Sequence, residues 1–201
     1  MDELALLDWK RRVFELYAEV RAEDEAEIAW RRWREARDAL FRSHPQTPLP
    51  PERRRSFSGL DYWPYDASLR VTAEIVEREP ETLAIETSGD GTIRFGRFGA
   101  ARFELAGAAH ELQLYWLEGY GGGVFLPFAD ATTGSESYGG GRYLLDTVKG
   151  SDLGGTDGRL VLDFNFAYNP SCAYDVRWVC PLAPPANRLP VAVRGGERMT
   201  R

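Results

Sequence analysis

The sequence predicts an α+β fold: an N-terminal helical hairpin arm packed on a mainly antiparallel β-sandwich or partly closed β-barrel. Three observations predict it. Apolar residues recur at three- and four-residue steps through the arm. From residue 67 the period changes to two, in short runs divided by glycine-rich turns. No strand–helix–strand alternation follows, so a parallel nucleotide-binding sheet is not expected.

In the first helix Leu6, Trp9, Val13, Leu16, Tyr17 and Val20 share one face. Asp24, with Glu27 three residues on, has the spacing of a capping box and opens the second helix. Ala29, Trp33, Ala36 and Leu40 form its apolar stripe. Pro45, Pro48, Pro50 and Pro51 end it, since each lacks the amide that helix continuation needs. Residues 1–44 are thus read as the arm and 45–66 as a proline- and aromatic-rich connector. So short a pair holds no core of its own. Its apolar face must dock on the β domain or on a second chain, as in a homodimer.

Residues 67–201 are read as the β domain. Val71, Ala73 and Ile75 alternate with polar neighbours, and Asp90-Gly91 supplies a tight hairpin turn. In the final strand Leu160, Leu162, Phe164 and Phe166 face one way, which places Asp163 and Asn165 together on the other side. The proline-rich run 180–185 cannot continue a ladder and is expected to cross the body as a strap.

Charge and composition narrow the function. Residues 1–55 hold 12 acidic and 12 basic side chains, leaving 19 acids against 13 bases in the rest. An acidic body repels duplex nucleic acid, whose binding depends on neutralising phosphates. Arg53-Arg54-Arg55 is the one basic cluster outside the two helices, either an anion contact or a solvated turn. No apolar run reaches the roughly 20 residues of a membrane span. The start, Met1-Asp2-Glu3-Leu4, lacks the pattern of a signal peptide, so a cytoplasmic protein is expected. Two cysteines, Cys172 and Cys180, and two histidines, His44 and His110, do not make the paired ligand spacings of a zinc site, and no cofactor motif is present. The cysteines either close a disulfide loop, worth roughly 2.5 kcal/mol by loop entropy, or remain buried thiols.

The polar C-terminal half holds the candidate chemistry. If the inner side of the last strand lines a cavity, the Asp163 carboxylate and the Asn165 amide converge on one ligand; if it meets water, they are an ordinary outer face. Arg142 leaves a loop that also carries Asp130, Glu136 and Tyr138. It either closes an ion pair with Asp163, Asp130 or Glu136, or binds a substrate carboxylate or phosphate. The candidate ligand-binding set is Arg142, Asp163, Asn165, Tyr138 and Tyr168, with Asp163 and Glu136 as candidate general acid–base groups. Three functions follow: a binder of a small polar or anionic ligand, an enzyme using the same pocket, or an interaction module whose arm exchanges between subunits.

The stretch from Asp163-Phe164-Asn165-Phe166-Ala167-Tyr168-Asn169-Pro170 through Cys172, Tyr174, Cys180-Pro181 and Asn187 has an unusual residue order. With 128–143, Phe57-Ser58-Gly59-Leu60 and Val193-Arg194-Gly195-Gly196-Glu197, it closely resembles domain-of-unknown-function family 1684, found in bacteria and archaea. The departures are Thr47 before Pro48-Leu49, where the family has serine, and Ala186, where an acid is common. The second departure weakens any carboxylate role for the proline-rich turn. The resemblance implies where a site lies and names no chemistry.

Overall fold

The computed structural model describes residues 2–199. Met1, the first residue of the expected arm, and Thr200 and Arg201, the last of the expected β domain, lie outside the described residues. Helix α1 spans Asp2–Ala22 and α2 spans Ala26–Ser43; a short α3, Pro51–Arg55, follows within the connector. The capping box expected at Asp24 does not form. Glu25 is the N-cap of α2, without a side-chain cap, and its amide instead meets the Glu23 carboxylate. Among the described residues no helix is long and apolar enough to cross a membrane.

Seven strands follow: β1 Arg70–Glu86, β2 Thr92–Leu105, β3 Ala108–Leu117, β4 Val124–Phe128, β5 Arg142–Asp146, β6 Gly155–Thr156 and β7 Arg159–Asp163. They form one antiparallel sheet in the order β5-β4-β3-β2-β1-β7-β6, and the sheet does not close. The α+β class holds. The first five strands are a meander, and β7 returns to the free edge of β1.

Two irregularities shape the sheet. The β1–β2 register shifts between Glu77 and Glu81, where Pro80 has no amide to give to the ladder. The β2–β3 register shifts by one residue between Arg97 and Gly99. One inserted residue reverses which face follows it. Phe95 therefore packs with Tyr115, Phe125 and Tyr143, whereas Ala101 and Phe103 beyond the bulge pack into the main core with Leu112, Leu114, Leu162 and Phe164.

The arm lies on its own β domain. Leu16, Tyr17 and Val20 of α1 and Ala29, Trp30 and Trp33 of α2 bury with Tyr62, Leu153 and Phe166. Trp33 is fully buried, with its ring 5.1 Å from that of Phe166. The Trp30 indole donates to the Asn165 carbonyl at 2.9 Å, and Ser151 joins Tyr17 at 3.1 Å. The strap at 180–185 runs beside the end of β1, with Ser88 N donating to Cys180 O and Leu182 N to Glu86 O.

Candidate functional site

Asp163 and Asn165 are both fully buried, but not on one strand face. β7 ends at Asp163, whose carboxylate accepts the Asn165 amide at 3.0 Å and so turns 164–166 into a single 3-10 turn. The expected continuous strand is cut there. Phe164 enters the main core and Phe166 the arm interface. Asp163 Oδ1 also takes the Asn165 side-chain amide at 2.8 Å, and Oδ2 takes Arg70 at 3.2 Å. The Asn165 amide grips the connector from both sides, accepting from Asp66 N and donating to Asp66 O. Burial pushes the Asp163 carboxyl above the usual range, against the pull of Asn165 and Arg70.

Arg142 belongs to a different network. Its guanidinium pairs with Asp130 at 3.4 Å rather than with Asp163 or Glu136. It donates to the carbonyls of Gly195 at 2.5 Å, Val193 at 2.9 Å and Glu197 at 3.3 Å, clamping the C-terminal segment onto β5. Asp130 completes the clamp by accepting Val193 N. Burial lowers the Arg142 pKa to about 10, with Asp130 and Glu197 acting in the opposite direction. Glu136 is an exposed carboxylate held by both Nε and Nη2 of Arg194, which keeps it below the ordinary range and suits it poorly to proton transfer near neutrality. Tyr138 turns its hydroxyl to Cys172 Sγ at 3.5 Å. Tyr168 bridges to Tyr143 of β5 and lies beneath the Arg37 guanidinium.

What these networks frame is a cleft of about 440 Å³. One wall is the connector, with Arg53, Ser56, Ser58 and Asp61; another is the loop with Asn169 and Tyr174; the third is Glu197, Arg198 and Met199. Three of the stretches that carry the family resemblance, far apart in sequence, thus meet in one place. Behind this cleft a cavity of about 70 Å³ is lined by Trp9, Tyr17, Tyr143, Lys149 and Tyr168 among others, and Asn169 and Tyr174 line both spaces.

The floor is a charged network. Glu197 accepts from Arg37 at 3.0 Å, from the Asn169 amide at 2.9 Å and from the Tyr174 hydroxyl. Gly196 delivers it there through a left-handed φ of 77°, at a point where a Cβ would collide with the Ala167 carbonyl. Burial raises the Glu197 carboxyl, and Arg37, Tyr174 and Asn169 pull it back. Asn169 Oδ1 is buried and accepts no hydrogen bond from a described residue.

The rim is unequally charged. Arg198 pairs with Asp61 at 3.1 Å, whereas Arg53 reaches only the Tyr174 carbonyl at 3.2 Å and is in no ion pair among the described residues. Beyond Leu49 lies a further concavity of about 470 Å³, bordered by Arg42, Arg54, Arg55 and Arg177 with no carboxylate in its lining. Arg54 and Arg55 of the triplet thus border a basic concavity with Arg42 from α2 and Arg177 from the C-terminal loop, the last of which is paired with Asp175 at 3.3 Å. Sequence reasoning held Arg53 only as part of the triplet, an anion contact or a solvated turn, and passed over Arg37, Asn169, Tyr174 and Glu197. The last three lay within segments that carry the family resemblance, but Arg37 reads as any arginine on a helix surface.

Among solved structures the chain is similar to the uncharacterized protein from gene locus rrnAC0354 of Haloarcula marismortui, determined by solution NMR. The two share 39% identity over 86% of this chain and 94% of that one, with a TM-score of 0.64. No curated protein matches. A family model described as Protein of unknown function (DUF1684) matches residues 55–198, a span that takes in the whole sheet and the cleft lining from Ser56 to Arg198 but not Arg53 or Met199, and the chain belongs to that family.

Proposed function

We propose that the protein binds a small polar ligand with an anionic group, in the cleft between 53–61, 169–174 and 197–199. The observation that carries this reading is Arg53, a guanidinium without a counter-charge at the rim of a polar cleft. Guanidinium recognises carboxylate and phosphate through paired donors. The Ser56 and Ser58 hydroxyls are further candidate contacts, and Asn169 Oδ1 is an acceptor for a donor on the ligand. In this reading the residues first nominated act mostly on the walls. Arg142 fixes the segment bearing Glu197, Asp163 and Asn165 fix the connector, and Tyr168 lines the inner cavity. A catalytic version uses Glu197 as the acid–base group, since burial raises its carboxyl above the ordinary carboxylate range.

Thermal-shift measurement against inorganic phosphate, citrate, and a set of sugar phosphates and amino acids tests the reading. A stabilising anionic compound is expected, with the shift lost in Arg53→Ala and in the cleft-filling Ser58→Trp. A shift that survives both substitutions, or no shift with any anion, contradicts it. Turnover of the bound compound, abolished in Glu197→Gln, would select the catalytic version.

A further inference from the structure

The two cysteines are eight positions apart in sequence and meet in the fold. Cys172 lies in the 3-10 turn Ser171–Ala173, and Cys180 begins the strap. Both are free and nearly buried, at 8% and 5% exposure. Cys180 is anchored by two contacts to Ser88, just beyond β1: its carbonyl accepts Ser88 N at 2.9 Å, and its amide donates to Ser88 Oγ at 3.1 Å. Its thiol lies beside that of Cys172. Cys172 Sγ also has the Tyr138 hydroxyl at 3.5 Å. The neighbouring Cys180 thiol, with the Tyr138 hydroxyl, draws the Cys172 pKa below the usual thiol range, while the same contact and burial raise that of Cys180. Cys172, the sulfur that the Tyr138 hydroxyl contacts, is thus the one of the two favoured toward thiolate. A thiolate attended by donors is the reactive form of cysteine.

We infer that Cys172 and Cys180 form a reversible redox pair, in which Cys172 is the attacking sulfur and Cys180 the resolving one, with a low-molecular-weight disulfide as oxidant. The Cys172 thiolate attacks one sulfur of the oxidant, whose S–S bond breaks and releases one thiolate. Cys180 then loses its proton to that thiolate and attacks Cys172 Sγ, and the second thiolate leaves, taking up a proton from solvent. Two protein thiols become one disulfide by loss of two electrons, and the oxidant is reduced to two thiols.

The bond would close the loop 172–180 onto the end of β1. That loop carries Tyr174, a wall of the cleft, and Arg177 and Trp178, which donate to the carbonyls of Thr47 and Pro48 in the connector. The consequence for ligand binding rests on the cleft reading. Formation of the bond does not, and mass alone reads it.

Native protein is treated with oxidised glutathione, quenched with acid and weighed intact. Wild type is expected to lose two hydrogens and regain them with dithiothreitol. Cys180→Ser is expected to trap one glutathione on Cys172, at least tenfold faster than Cys172→Ser traps one on Cys180, and Tyr138→Phe to slow the first step. Trypsin cuts after Arg159, Arg177 and Arg188, so the two cysteines fall on separate peptides. A variant that fails to fold therefore leaves the wild-type peptide map to decide, with early glutathione expected on the Cys172 peptide. Equal reactivity of the two cysteines, or no reaction before denaturant is added, overturns the inference.

Discussion

Nη2 of Arg37, on the second helix, lies 3.0 Å from Oε2 of Glu197, 160 positions later in the chain. Both side chains are largely removed from water, at 13% and 1% exposure. The Arg37 guanidinium is also stacked over Trp33 and Tyr168, at 4.9 and 5.1 Å, and its Nε donates to the Tyr62 hydroxyl. The pair ties the arm to the C-terminal segment and forms the floor of the cleft.

Removing one member leaves the other charged and enclosed, which costs about 3–5 kcal/mol in buried pairs. Glu197→Ala and Arg37→Ala are each expected to destabilise by that order. The double variant is expected to cost well below the sum, because the second substitution removes the stranded charge. Urea denaturation of the four proteins in the cycle checks this.

Arg142 offers a sharper case. Its clamp serves three carbonyls and Asp130 at once, a fork that an ammonium group cannot reproduce. Arg142→Lys is expected to lose about 2 kcal/mol or more, since at least one buried acceptor is left unmet. Hydrogen exchange is expected to show the loss first in 193–197, because those carbonyls depend on the guanidinium. Protection unchanged in that segment would contradict the clamp.

The raised pKa of Asp163 has a definite sign in stability. Its folded value lies above the unfolded one, near 3.9, so the folded state holds the proton more tightly. That contribution is full below the unfolded value and is lost as pH rises through the folded one. The stability advantage of wild type over Asp163→Asn is therefore expected to shrink as pH rises from about 3.5 toward neutrality. The difference between the two proteins isolates this group from Asp8, Asp66, Glu111 and Glu136, whose lowered values act in the opposite direction. Guanidinium denaturation across that range checks it, and a difference that grows with pH would contradict it.

The parts of the fold legible from sequence were those set by local pattern. The helical stripes of the arm and the Asp90-Gly91 turn, with Gly91 at φ 113°, depend on neighbours a few residues away. The end of β7 was not legible for the opposite reason. The alternation of Leu160, Leu162, Phe164 and Phe166 continues without a break in the sequence, yet one carboxylate bond from Asp163 to the Asn165 amide turns the chain and sends the two phenylalanines into separate cores. The site followed the same rule. Asp130 could be named beforehand as one of three partners for Arg142, but choosing it required the position of the 193–197 segment. The cleft itself is made of long-range convergence, with Arg53 reaching Tyr174 across 121 positions, which no spacing along the chain encodes.

Arg53→Ala separates binding from stability. Its side chain is exposed and contributes no buried packing, so the melting behaviour is expected to stay within about 0.5 kcal/mol of wild type. Affinity for the anionic ligand is expected to fall by roughly tenfold to a hundredfold, the loss of a charge-assisted pair. Calorimetric titration of both proteins checks it.

The most direct test of the account is an amide-resolved NMR titration of the full chain with the anion that gives the largest thermal shift. The account expects saturable shifts at Ser56, Ser58, Gly59, Asn169, Tyr174 and Arg198, with strands β3 and β6 unmoved. Shifts confined to the sheet face away from the connector, or scattered without saturation, would contradict a ligand site in this cleft.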